Sequence, residues 1–208
     1  MNDSLSPLKL AIAQASTPTD LIAAVEKLSQ IGESAAIPDL IAVFGYNNPA
    51  AATIAMKGLI ALGQAAVPQL IHLMDDYNYG ARAYTIRALS AIGDPRALDL
   101  LIMAAQNDFA PSVRRAAIKG LGTLQWRWSD DPEGDRQRVL TVLEQLLDDT
   151  DWSMRYAVIV ALDRLQGELD APTLGALLHL AKHKEGDRTV QARIWTALQR
   201  HAPILVPA

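Results

Sequence analysis

Residues 81–92, ARAYTIRALSAI, and residues 113–124, VRRAAIKGLGTL, carry one apolar ladder repeated 32 positions apart. Aligned on Leu89 and Leu121, offsets minus 8, minus 5, minus 4, minus 1 and plus 3 hold Ala81, Tyr84, Thr85, Ala88 and Ile92 in the first copy. In the second they hold Val113, Ala116, Ala117, Gly120 and Leu124. These spacings trace one face of a helix. The ladder returns on Leu28, Leu59, Leu162 and Leu198, so that successive anchors lie 31, 30, 32, 41 and 36 residues apart. A period of that size with room for paired helices predicts an all-α superhelix, or solenoid, of about five to six helical-pair repeats. One domain over 1–208 is expected.

Between the ladder helices lie shorter apolar stretches that open on a breaker. Ile37–Phe44 contains Pro38, Val67–Met74 contains Pro68, and Ala97–Ala104 follows Gly93, Asp94 and Pro95. Proline is tolerated in a first helical turn, where its missing donor would be unpaired anyway. Gly32, Gly63 and Gly93 follow ladder helices and suit left-handed C-caps. Later helices are expected from about Arg138 to Leu147, Thr173 to His183 and Thr189 to His201. The outer copies are worn, with Asp20 and Lys27 in the first and Arg193 and His201 in the last at ladder offsets, as suits caps facing water.

Composition narrows the function. Among 208 residues with a formal charge of −4, a nucleic-acid partner is disfavoured, because phosphate recognition needs a basic surface. No cysteine is present, which removes disulfides, thiolate catalysis and thiolate metal sites. Phosphate-binding glycine loops and nucleophile elbows are missing. No apolar run approaches membrane-spanning length. A soluble, cytoplasmic protein without membrane insertion is the expectation. His179 and His183 have the i, i+4 spacing of paired metal ligands, but no third ligand is evident, and a polar outer face is the expected reading.

The candidate residues lie at equivalent offsets. Arg82, Arg114 and Arg155 occupy minus 7 in three neighbouring copies, each six residues after an aspartate: Asp76, Asp108 and Asp149. Such a pattern suits ion pairs that tie repeats together, since buried charges persist when paired. Lys57, Arg87 and Lys119 share offset minus 2, with Arg115 one turn before Lys119, and stacking would align them as a cationic ridge. Aromatics gather ahead of the ladder helices: Tyr77 and Tyr79, Phe109, and Trp152 at the offset of Tyr79. The 41-residue gap comes from an insertion, Gln125–Asp135, QWRWSDDPEGD, containing Trp126 and Trp128. Those tryptophans either fill the gap opened in the stack or contact a ligand or partner.

Five segments together resemble a known family: DYNYGARAY (Asp76–Tyr84), IGDPRALDLL (Ile92–Leu101), DFAPSVRRAA (Asp108–Ala117), KGLGTLQWRW (Lys119–Trp128) and DWSMRYAV (Asp151–Val158). They are similar to the cyanobacterial phycobilin lyases of the E/F type, which are HEAT-like or armadillo-like repeat proteins. Length and the tryptophan-bearing extension are most similar to the F, or beta, subunits. The resemblance implies a heterodimer with an E-type (alpha) subunit. That heterodimer binds phycocyanobilin, a linear tetrapyrrole, as substrate and assists its thioether attachment to a cysteine of an apo-phycobiliprotein, the phycocyanin alpha subunit. No resident cofactor is implied. With this function in view, bilin propionates suit Lys57, Arg87, Arg115 and Lys119, and Arg82 and Arg114 are further ligand-binding candidates. Ring nitrogens suit a carboxylate of Asp76, Asp108 or Asp151 as the catalytic group. Tyr77, Tyr79, Trp126 and Trp128 suit the conjugated plane. A non-catalytic repeat scaffold docking on phycobiliproteins is the alternative.

Overall fold

In the computed structural model of the chain, described over residues 5–73 and 79–201, helix starts follow from proline and side-chain caps. The helices are α1 (Ser6–Ala13), α2 (Pro18–Ile31), α3 (Ile37–Ala42), α4 (Pro49–Leu62), α5 (Val67–His72) and α6 (Tyr79–Ile92). They continue with α7 (Leu98–Asn107), α8 (Pro111–Leu121), α9 (Pro132–Leu146), α10 (Trp152–Arg164), α11 (Ala171–Lys184) and α12 (Arg188–His201). Thr17 Oγ1 accepts the Asp20 amide at 3.1 Å and caps α2, while Asn48 Oδ1 accepts the Ala51 amide at 3.0 Å and caps α4. Each satisfies a donor that the first turn leaves orphaned. Gly32 ends α2 at φ 70° and ψ 18°, the left-handed cap expected of it. Gly63 differs: φ 61° with ψ −131° lies outside the left-handed helical region, because a 3₁₀ turn starts there directly.

The chain forms two compact units, Met1–Ala97 and Leu98–Ala208. Within the first, α2 packs on α4 and α4 on α6; within the second, α8 packs on α10 and α10 on α12. The ladder leucines Leu28, Leu59, Leu89, Leu121 and Leu162 are fully buried. Each contributes about 1.5–3 kcal/mol over an exposed leucine. Close approach also limits side-chain size. A Cβ on Gly122 would sit 2.6 Å from the Cα and carbonyl oxygen of Ala161, so glycine lets the end of α8 meet the backbone of α10.

Two expectations need correction. The helix expected from Arg138 starts at Pro132, since Asp131 accepts the Gly134 amide at 3.0 Å and proline opens the first turn. The insertion therefore lengthens α9 as well as making a loop. Arg193, expected to face water, bonds the buried Asp163 at 2.5 Å, with Arg200 on the same oxygen at 2.6 Å. A charge at a ladder position is here paired. Asp20 and Lys27 are exposed, as expected of the first copy.

Candidate functional site

Two adjacent arginines on α8 divide the charges into structural and open sets. Arg114 pairs with Asp149 of the next copy, and its Nε donates to the Ala105 carbonyl at 2.9 Å. Arg155 repeats the arrangement one copy on, gripping Glu185 through Nε at 2.8 Å and Nη2 at 2.9 Å. Glu185 stands thirteen residues before Leu198, as Asp149 does before Leu162. The Arg155 hydrogen bond, with its charge and neighbouring backbone amides, holds the Glu185 carboxyl below the usual range despite burial. These arginines tie helices together, and Arg114, a candidate for ligand binding, is spent on that task.

Arg115 projects from the next position into an open groove of about 610 Å³ lined by Arg115, Lys119, Asp151, Trp152, Ser153, Tyr156 and Thr189. That volume falls within the roughly 300–1,000 Å³ of small-molecule sites. Its walls come from α8, α10 and α12, which the ladder packs side by side. Lys119 follows Arg115 by one turn and has no carboxylate within ion-pair distance among the described residues. Trp152 is 47 % exposed, and Tyr156 is half-buried one turn further along α10.

Asp151 joins the two walls. Its Oδ1 accepts the Ser153 amide at 2.8 Å and caps α10, while Arg115 Nη1 donates to Ser153 Oγ at 3.2 Å. The Ser153 amide first, then the Ser153 hydroxyl and the charges of Arg115 and Arg114, hold the Asp151 carboxyl below its ordinary range. It stays an anion at neutral pH. The groove thus offers an ammonium without an ion-pair partner among the described residues, a guanidinium, an ionised carboxylate and two aromatic rings. It can bind a conjugated molecule that carries both carboxylates and N–H donors.

The other candidates fall elsewhere. Asp108 is 8 % exposed, and its carboxylate accepts the Ala110 amide at 2.9 Å in the turn before α8, so burial removes it from an open catalytic surface. Trp126 is 3 % exposed and anchors the 3₁₀ turn of the insertion, which corrects its reading as a stacking platform. Trp128 remains 39 % exposed, with the Arg127 guanidinium 4.8 Å from its ring centroid. In the first unit, Lys57 on α4 and Arg87 on α6 are exposed on helices that pack together, and Arg82 is half-buried on α6. Arg87 lies 5.9 Å from the centre of Tyr84, which stacks on Phe44 at 5.3 Å. Asp76 and Tyr77 lie outside the described residues, as does the Tyr79 side chain. His179 and His183 are exposed, and no group of three metal-binding side chains occurs among the described residues.

Sequence reasoning noted Trp152 without placing it in the site, and it missed Tyr156, Ser153 and Thr189. Tyr156 was within reach, because it holds in its copy the offset, minus 6, that Arg115 holds in the preceding one.

HEAT repeats match residues 46–122 and 106–199, and the PBS lyase HEAT-like repeat matches residues 20–46. The phycocyanobilin lyase subunit beta of Nostoc sp. strain PCC 7120 is 50 % identical over 192 residues, spanning 89 % of this chain and 94 % of that protein. The phycocyanin alpha phycocyanobilin lyase CpcF of Synechocystis sp. strain PCC 6803 is 41 % identical over 198 residues, 93 % of this chain and 92 % of that one. A chain of the CpcE and CpcF complex of phycocyanin lyase from Nostoc superposes with a TM-score of 0.75 at 52 % identity, covering 80 % of this chain and 99 % of its counterpart. Repeat ladder, insertion and overall likeness converge: the chain belongs to the phycocyanobilin lyase beta-subunit family of HEAT-repeat proteins.

Proposed function

We propose that this chain is the F-type subunit of a heterodimeric phycobilin lyase, active with an E-type subunit. The pair binds phycocyanobilin and assists its attachment to a cysteine of the apo-phycocyanin alpha subunit. The pigment is substrate and no resident cofactor is needed. The nucleophile belongs to the acceptor, consistent with a sequence that contains no cysteine. The acceptor thiol adds across a pigment double bond: an S–C bond forms, the thiol proton ends on the adjacent carbon, and nothing is oxidised or reduced. Such a reaction asks the lyase to hold the pigment extended and to present it to the thiolate. No described helix is long and apolar enough to cross a membrane.

The observation that carries this reading is the groove in the second unit, which Lys119, the guanidinium of Arg115 and the exposed ring of Trp152 line together. The test is co-expression with an E-type subunit, phycocyanobilin and the apo-alpha subunit. A covalent, zinc-fluorescent adduct that requires both lyase chains is the expected result. Its absence, with both chains folded and associated, overturns the proposal.

A further inference from the structure

We infer that the groove has a fixed internal order: Asp151 accepts the pyrrolic N–H groups of the tetrapyrrole and holds its ring system protonated, while Lys119 takes its carboxylates. This rests on the groove being the pigment site proposed above, and it adds which residue meets which part of the pigment.

Position selects the anion. Of the two candidate aspartates among the described residues, Asp108 is buried on its own turn, whereas Asp151 lines the groove. The cations are also distinct. Arg115 reaches Ser153 Oγ at 3.2 Å, and the Ser153 amide reaches Asp151 at 2.8 Å, so this guanidinium and this carboxylate are bridged by one serine. Lys119, in the last turn of α8, carries no such bridge. A pigment carboxylate gains more at Lys119, which has no carboxylate within ion-pair distance among the described residues. Trp152 and Tyr156 line the same groove, and their rings suit a conjugated plane.

Chemistry supplies the reason for such an order. A fixed carboxylate beside conjugated nitrogens favours their protonated form. A protonated tetrapyrrole draws electron density away from the carbon that the acceptor thiolate attacks, and a preorganised anion stabilises that charge without reorganisation. Asparagine caps helices about as well as aspartate, so Asp151→Asn removes the charge while leaving the start of α10 intact.

The test uses the purified heterodimer, phycocyanobilin and phycocyanobilin dimethyl ester, with circular dichroism as the check on folding and Lys182→Met as a surface-charge control. The unaltered protein is expected to red-shift the bound pigment and to prefer the free acid over the ester by about tenfold, the loss of one charge-assisted contact. Asp151→Asn is expected to bind within about threefold but to lose the red shift at neutral pH. Lys119→Met is expected to keep the red shift, bind the free acid about tenfold more weakly and stop distinguishing the ester. An unchanged red shift in Asp151→Asn, or retained ester discrimination in Lys119→Met, overturns the inference. If the unaltered heterodimer binds neither pigment, the failure lies in the function proposed for the chain, and the inference falls with it.

Discussion

Arg114 and Arg115 are neighbours in the chain and belong to different regions of the second unit. Arg114 enters the inter-repeat ion ladder, with its side chain 19 % exposed and its partner Asp149 at 10 %. Arg115 stands in the groove with a serine hydroxyl as its hydrogen-bond partner. A helix turns by about 100° per residue, so adjacent side chains reach different surroundings. The comparison teaches that residue type is a poor guide to role in a repeat protein. Offset within the repeat, and what the next copy places opposite, decide whether a charge builds the stack or faces a ligand.

The largest test of that contrast is Arg114→Ala. It leaves Asp149 largely buried without its cation, and a loss of about 3 kcal/mol is expected in chemical denaturation. A loss below about 1 kcal/mol would put Arg114 among the surface charges and erase the distinction. A second test reads the ladder by pH. The folded pKa of Glu185 is lowered, so its contribution is present above its unfolded value and is lost as pH falls through the folded one. Thermal stability measured from about pH 5 to 3 should therefore fall less steeply in Glu185→Gln than in the unaltered protein. Equal slopes would contradict the assignment. The smallest expected stability effect belongs to the groove. Arg115→Met should change stability by less than about 1 kcal/mol, the worth of one hydrogen bond at a partly open site, while weakening pigment binding by about threefold, as Asp151→Asn does, in absorbance titrations. The reverse pattern would make Arg115 a structural residue.

Much of this was legible in the letters. The ladder positions Leu59, Leu89, Leu121 and Leu162 are buried as their spacing requires, because a helix cannot place offsets minus 4, minus 1 and zero on different faces. The arginine ladder was also visible in the six-residue interval that Asp108–Arg114 and Asp149–Arg155 repeat across copies, which signals a shared role. Its last member was obscured because Glu185 replaces the aspartate. The start of α9 was missed because Glu133, Gly134 and Asp135 dilute the apolar pattern, and the Asp131 cap is strong enough to begin the helix without it. Trp126 and Trp128 illustrate a different difficulty. Two tryptophans separated by one arginine diverge, one buried and one exposed, because a short 3₁₀ turn presents them differently and no periodicity in so brief a segment announces it.

The sequence by itself determined the architecture: a recurring apolar spacing can be buried only if paired helices stack copy on copy, and proline and capping residues mark where each helix starts. It also determined the absence of a thiol of its own. Only the tertiary structure decided which charges remain open. Arg115, Lys119 and Asp151 face one groove because α8 and α10 pack side by side, and Asp108 does not because its carboxylate closes a turn. Those outcomes depend on neighbours about thirty to forty residues away, which local spacing cannot specify.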